Sequence, residues 1–197
     1  MKFDPKIHPF DQAQGRHRRS IRLQGYDYSQ AGAYYVTIVV WRREHIFGEI
    51  VGAGLKPTRT AEMQLNRFGQ IVNDAWYDLP KHYPHVELDT FCIMPNHVHA
   101  IIVLNDYGMG ESASGNMPIP NSSKTHPYVR HPLSEIVRAF KSFSARRINS
   151  LRNTQGIPVW QRNYYEHIIR NQEDYLSKSS YILDNPLNWD NDDENQR

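Results

Sequence analysis

The amino-acid sequence predicts an α+β fold, a ferredoxin-like antiparallel sheet with helices packed on one face. Three observations point there. The run AYYVTIVVW, residues 33–41, is β-branched and aromatic, the composition of a strand. Leu65, Phe68, Ile71, Val72, Ala75, Trp76 and Leu79 instead recur at spacings of three and four, the period of an amphipathic helix. The stretch HVELDTFCIMPNHVHAIIVL then reads as two strands broken around Met94, Pro95 and Asn96, because proline has no N–H to give to a ladder.

The remaining elements fit the same order. Between first strand and first helix, the glycine-broken GEIVGAGLKPTRTAEMQL continues as a strand and turn, and Pro80 and Pro84 stop the helix. PLSEIVRAFKSFSARRIN opens with Ser134 as a turn or cap residue. It places Ile136, Val137, Phe140, Phe143 and Ile148 on one side, with Arg138, Lys141, Arg146 and Arg147 off that stripe, so a second helix with a basic outer face is expected. IPVWQRNYYEHIIRN has strand composition, and QEDYLSKSSYILDNPLNW reads as a last helix closed by Pro186. Strands, helix, two strands, helix, strand, helix is an order that suits this sheet.

Domain organisation follows from composition. Residues 1–30 form a basic arm carrying Arg16, Arg18, Arg19 and Arg22. A single domain spans 31–189, interrupted by a loop insertion at 105–130 rich in Gly, Ser, Asn and Pro, and the acidic end 190–197 is expected to be disordered. The 197 residues suffice for one real core. Lys plus Arg number 23 against 21 for Asp plus Glu, so attraction for nucleic acid must come from local patches. Cys92 is alone, which excludes an intramolecular disulfide and cysteine-built zinc sites. No apolar run resembles an export signal or a membrane span, and the expectation is a cytoplasmic protein without membrane contact.

Chemistry enters with His97 and His99. Residues i and i+2 of a strand share a face, so both imidazoles project together. Alone the pair is a weak signal, since half-buried histidines more often find backbone partners or face water. Two imidazoles suit several divalent metals, with oxygen ligands completing the site. On the last helix, Tyr181 and Asn185 lie four apart, about 40° around the axis and roughly 6 Å along it, which puts a phenol and an amide on one face. The plain reading remains a packed aromatic and a helix-end asparagine.

Three elements in order give the chain a family resemblance: MPNHVHAII; then Trp160, Gln161, Arg162, Tyr164, Tyr165, Glu166, His167, Ile169 and Arg170 in VWQRNYYEHIIR; then Tyr181, Ile182, Asn185 and Pro186 in YILDNP. Together they resemble the REP-associated tyrosine transposases, relatives of the single-tyrosine HUH transposases of bacterial insertion sequences, over roughly residues 16–190. The resemblance implies an HUH-type palm with a C-terminal helix that carries the tyrosine. It implies cleavage of single-stranded DNA beside hairpins, through a 5′-phosphotyrosine link and a free 3′-OH that can later rejoin strands. By the same resemblance Tyr181 is the nucleophile, and His97, His99 and Asn185 hold a divalent cation, Mg²⁺ or Mn²⁺. The enzyme would be a monomer or a homodimer.

Tyr164, Tyr165 and Tyr175 compete for the nucleophile's role among 12 tyrosines; Tyr181 alone has Asn185 one turn on. His167 is either a hydrogen-bonding support near the site or a structural histidine. Contacts to single-stranded or hairpin DNA are expected from Arg16, Arg18, Arg19 and Arg22, from Arg138, Lys141, Arg146 and Arg147, and from Gln161 and Arg162. Two alternatives stand beside the transposase reading. One is a hairpin-binding protein that does not cut. The other is a metal-dependent nuclease without covalent attack, which needs a further carboxylate that the sequence does not single out.

Overall fold

The computed structural model describes residues 23, 25–52, 61–106 and 130–195. Strand β1 (Gly32–Val39) is followed by a short hairpin of β2 (Gly48–Val51) and β3 (Glu62–Leu65). Helices α1 (Arg67–Tyr77) and α2 (Leu79–His82) come next, then β4 (Val86–Ile93), β5 (His97–Leu104), helix α3 (Leu133–Leu151), β6 (Tyr165–Ile169) and helix α4 (Gln172–Asp184). The four long strands form one antiparallel sheet in the order β4-β5-β1-β6, which is the ferredoxin-like arrangement; β2 and β3 make a separate two-stranded ribbon.

Alternation along the strands assigns the two faces. Tyr34, Val36, Ile38, Val98, Ala100 and Ile102 turn to α1 and α3 and form the main core with Trp76, Leu79, Ile136 and Phe140. Trp76 stacks on Phe91 at 4.5 Å between ring centres, and Phe140 meets it edge-on at 5.7 Å. Helix α4 covers the opposite face, where Ile182 packs against Tyr35 and Ile101. The helices that build the core therefore share one face, as the pattern predicted, while the helix that carries Tyr181 lies on the other.

Local chemistry explains the ends of the elements. Asn66 caps α1 by accepting from the Phe68 and Gly69 amides. Gly69 is needed there because a Cβ would meet the Phe47 carbonyl oxygen at 2.3 Å. Helix α1 ends at Tyr77, just before Pro80; Pro80 then sits in the first turn of the separate α2, where its missing N–H costs nothing, and α2 ends before Pro84. Ser134 does not cap α3: Pro132 holds the cap position and Ser134 is the helix's second residue. The turn between β4 and β5 falls where Pro95 predicts it, closed by the Met94 amide donating to the His97 carbonyl at 2.8 Å.

The expected arm with Arg16, Arg18, Arg19 and Arg22 lies outside the described residues, as does most of the 105–130 insertion. The two ends of that insertion are joined by an Arg130–Asp106 ion pair. The expected disorder from residue 190 is corrected through Asn195: a 3-10 turn over Asn185–Asn191 follows α4 directly, and Asp192 is buried. Among the described residues no helix is long and apolar enough to cross a membrane.

Candidate metal and nucleophile site

Strand β5 delivers His97 and His99 side by side on the α4 face, opposite Val39 and Thr37 of β1. Both are buried, and their Nε2 atoms lie 2.9 Å apart. His97 Nδ1 is 2.8 Å from Asn96 Oδ1. His99 Nδ1 is 2.8 Å from the Tyr35 hydroxyl and 2.9 Å from Thr37 Oγ1. Burial holds both rings neutral. It pushes His97 down to about 3, aided by the charges of Arg43 and His45. It also takes His99 well below its ordinary value, aided by His97 and opposed by Asp192.

Asp192 completes a cluster that the sequence did not reveal. One ligand atom from each of His97, His99 and Asp192 can be chosen so that all lie within 4.8 Å of one another. Because His97 is neutral, the 4.0 Å contact between its Nε2 and Asp192 Oδ2 is not an ion pair but a convergence of donor atoms. Asn185, also buried, donates from Nδ2 to Asp192 Oδ2 at 2.9 Å, which leaves its own Oδ1 buried with no hydrogen-bond partner. A buried amide oxygen without a donor is costly, and a cation would satisfy it. Two imidazole nitrogens, a carboxylate and an amide oxygen form a donor set that fits a divalent metal.

Tyr181 stands one helical turn before Asn185, its ring 5.2 Å from that of His99 and 47% exposed. Its phenol is pushed up by burial and by the Asp192 carboxylate, with Asn185 pulling the other way. The rival tyrosines are placed elsewhere. Tyr175 donates to the Asp89 carboxylate, Tyr164 packs against the main core, and Tyr165 lies over Tyr35 at 6.1 Å. Trp189 covers the other side of the site, 6.0 Å from His97 and 5.3 Å from His45. His167 does not reach the histidine pair; its Nε2 bonds the Asp174 carboxylate at 2.8 Å and ties the start of α4 to β6.

The cations of α3 divide into two kinds. Lys141 turns inward and donates to the carbonyls of Gln161, Arg162 and Asn163, and burial lowers its ammonium to about 8. Arg147 pairs with Asp78 at 2.9 Å, and Arg146 folds back over Phe143. Arg138, 3.6 Å from Glu135, reaches a groove of about 970 Å³ between α3 and the 157–166 segment. Gln161, Arg162, Arg43 and Glu194 line the same groove, as does Thr37, whose hydroxyl is 2.9 Å from His99 Nδ1.

Asn96, Tyr35, Thr37 and Asp192 were missed in the sequence. Strand alternation could have found Tyr35 and Thr37, which lie on the same face as His99 across the ladder.

No protein-family model matches the chain. An uncharacterized protein of Haemophilus influenzae is 38% identical over 178 residues, 89% of this chain and 92% of that protein, so the two belong to one family. A putative REP-associated tyrosine transposase of the same organism is 23% identical over 161 residues, 82% of this chain and 73% of the relative. The solved structure of a REP-associated tyrosine transposase bound to a REP hairpin superposes with a TM-score of 0.51 at 20% identity, covering 85% of this chain and 73% of that one. The chain is a relative of the REP-associated tyrosine transposases. The fold shared with that transposase is the β4-β5-β1-β6 sheet with its helices, the frame on which the histidine pair and Tyr181 are carried here.

Proposed function

We propose that this relative of the REP-associated tyrosine transposases is a cation-dependent single-strand DNA endonuclease and strand transferase acting beside hairpins. The observation that carries it is the convergence of the Tyr181 phenol, two neutral histidines, Asp192 and the unpartnered Asn185 oxygen at one spot. In the step proposed, the Tyr181 oxygen attacks a backbone phosphorus and the P–O3′ bond breaks. The phenol proton passes to solvent, and the leaving 3′ oxygen gains one. The products are a 5′-phosphotyrosine and a free 3′-OH, and the reverse attack rejoins strands without an external energy source.

His97, His99, Asp192 and Asn185 would hold a divalent cation, Mg²⁺ or Mn²⁺. Bound there, it would neutralise charge on the phosphate. The protein's own part is alignment. Packing of Ile182 fixes α4 on the sheet, and Tyr181, the next residue back, is thereby held over His99. The ordinary phenol pKa of about 10 makes Tyr181 a weak nucleophile at neutral pH, so positioning and charge must do most of the catalysis. The groove lined by Arg138, Gln161 and Arg162 would guide the flanking strand, with Arg16, Arg18, Arg19 and Arg22 as further phosphate contacts. The transposase of similar fold is bound to a REP hairpin, which supports hairpin DNA as the partner. The protein so proposed would act in the cytoplasm, as a monomer or a homodimer.

Asp192 also strengthens the nuclease reading without covalent attack, since it supplies the carboxylate that version requires. A denaturing gel of end-labelled hairpin DNA with single-stranded flanks separates the readings. A protein–DNA adduct that needs Mg²⁺ or Mn²⁺ and disappears in both Tyr181→Phe and His97→Ala is the expected result. Cleavage that persists in Tyr181→Phe without an adduct would select the non-covalent nuclease. Retention of the hairpin with no cut on any flank would select a binding protein.

A further inference from the structure

Asn96 is 0% exposed, immediately before His97, and every polar atom of its side chain is used. Nδ2 donates to the Arg43 carbonyl at 3.2 Å and to the Glu194 carbonyl at 2.7 Å. Carbonyl oxygens only accept, so the amide cannot be turned around without facing its oxygen to two others. Oδ1 therefore points at His97 Nδ1, 2.8 Å away, and that nitrogen must carry the hydrogen. A neutral imidazole has one such hydrogen, so His97 Nε2 presents a bare lone pair. It faces His99 Nε2 at 2.9 Å, a contact that requires one proton between the two nitrogens. His97 has none to give there, so His99 donates from Nε2.

The partners of His99 are of a different kind. Its Nδ1 lies near the Tyr35 and Thr37 hydroxyls, and Thr37 Oγ1 can also donate to the Tyr35 oxygen at 3.1 Å. A hydroxyl can donate or accept by rotating, whereas the oxygen of a fixed amide can only accept.

We propose that Asn96 is a positioning residue that locks His97 as its Nδ1–H tautomer, while Tyr35 and Thr37 leave His99 able to carry its proton on either nitrogen. The pair can then offer two Nε2 lone pairs to a divalent cation without any change of charge. On binding, His99 releases the Nε2 proton to water and takes one from water at Nδ1, where a hydroxyl oxygen accepts it. Burial that holds both rings neutral is in keeping with this. The lock also links distant segments. It anchors the β1–β2 loop at Arg43, whose backbone is left-handed at φ 57 after Arg42 at φ 58, and the C-terminal segment at Glu194. Strain of that kind persists only where surrounding contacts hold it. The exchange at His99 rests on the cation reading of the site; the lock on His97 does not.

Two-bond ¹H–¹⁵N correlation spectra of the full chain with ¹⁵N-labelled histidine report each tautomer directly, with single histidine substitutions for assignment. Metal-free protein is expected to show His97 as Nδ1–H and His99 as Nε2–H. Saturating Mg²⁺, which is diamagnetic, should convert His99 to Nδ1–H and leave His97 unchanged. Asn96→Leu should give His97 a mixed pattern and weaken Mn²⁺ binding by calorimetry by about 10-fold to 100-fold. His97 found as Nε2–H in the metal-free wild type overturns the lock, and that result needs no variant to fold. A lock that is present, with His99 unmoved and no heat of Mg²⁺ or Mn²⁺ binding, overturns the exchange and the cation reading together.

Discussion

Along β5, Val98, Ala100 and Ile102 turn to α1 and α3, while His97, His99 and Ile101 turn to α4. The contrast repeats on β1, where Val36 and Ile38 face the core and Tyr35 and Thr37 face the histidines. One side is closed by stacked rings such as Trp76 on Phe91, the other by a helix whose only fully buried apolar anchor is Ile182. Stability and the proposed chemistry thus fall to alternate residues of the same strands. A change on one face should be read in unfolding free energy, and a change on the other in DNA chemistry.

The sharpest break of that contrast pairs Tyr181→Phe with Phe140→Ala. Tyr181 is half exposed and its hydroxyl bonds Asn185 rather than any group of the main core, so Tyr181→Phe should cost no more than about 1 kcal/mol while abolishing the adduct. Phe140 is 0% exposed between Trp76 and Trp160, so Phe140→Ala should cost about 3–5 kcal/mol in urea unfolding. Any Phe140→Ala protein that remains folded should retain the adduct. Equal stability loss in both variants would dissolve the distinction between the faces.

Ile182 tests where the two roles meet. It packs on Tyr35 and Ile101 and holds the helix that carries its neighbour Tyr181. Ile182→Ala should cost about 2–3 kcal/mol, near the low end for such truncations, since α4 covers the sheet thinly. It should also lower adduct yield by about 10-fold to 100-fold, because a small displacement of the attacking oxygen is expensive. Unfolding curves and gel yields from the same preparation check both halves. A stability loss with full adduct yield would mean that something other than α4 packing aligns Tyr181.

The two faces were not equally legible in the sequence. The core face follows from periods of two and 3.6, and α1, β1, β4 and β5 lie where those periods place them. The histidine pair was legible for the same reason, since alternation alone puts His97 and His99 together. The rest of the site depends on contacts between segments far apart in the chain. Asp192 belongs to an acidic run whose composition reads as solvated. It is buried because Asn185 bonds its carboxylate, Arg43 pairs with Glu194, and Asn96 Nδ2 donates to the Glu194 carbonyl. None of those partners is visible from the composition of residues 190–197. Lys141 likewise sits off the apolar stripe of α3 and reads as a surface charge, until the folded chain brings the carbonyls of 161–163 beneath it.

Lys141 gives the smallest and most specific test, because it sorts the cations of α3 into those that hold the fold and those free for phosphate. Its folded pKa is lowered by burial to about 8, below the ordinary value of 10.5 expected in the unfolded chain. Below pH 8 both states are protonated and the cost of the buried charge is fully present. Between pH 8 and about 10.5 the unfolded chain binds more protons, so stability rises with pH. The raised Tyr34 and Tyr35 phenols act oppositely, but only above their ordinary value of 10. Urea unfolding between pH 7.5 and 9.5 should therefore show wild type gaining about 1–2 kcal/mol relative to Lys141→Met. At neutral pH, Arg162→Ala should reduce the salt dependence of hairpin binding by about one unit of slope, whereas Lys141→Met should leave that slope unchanged. If Lys141→Met instead lowers the salt slope and tracks wild-type stability at every pH, the ammonium is solvated. Lys141 would then move from the structural cations to those of the groove proposed for DNA.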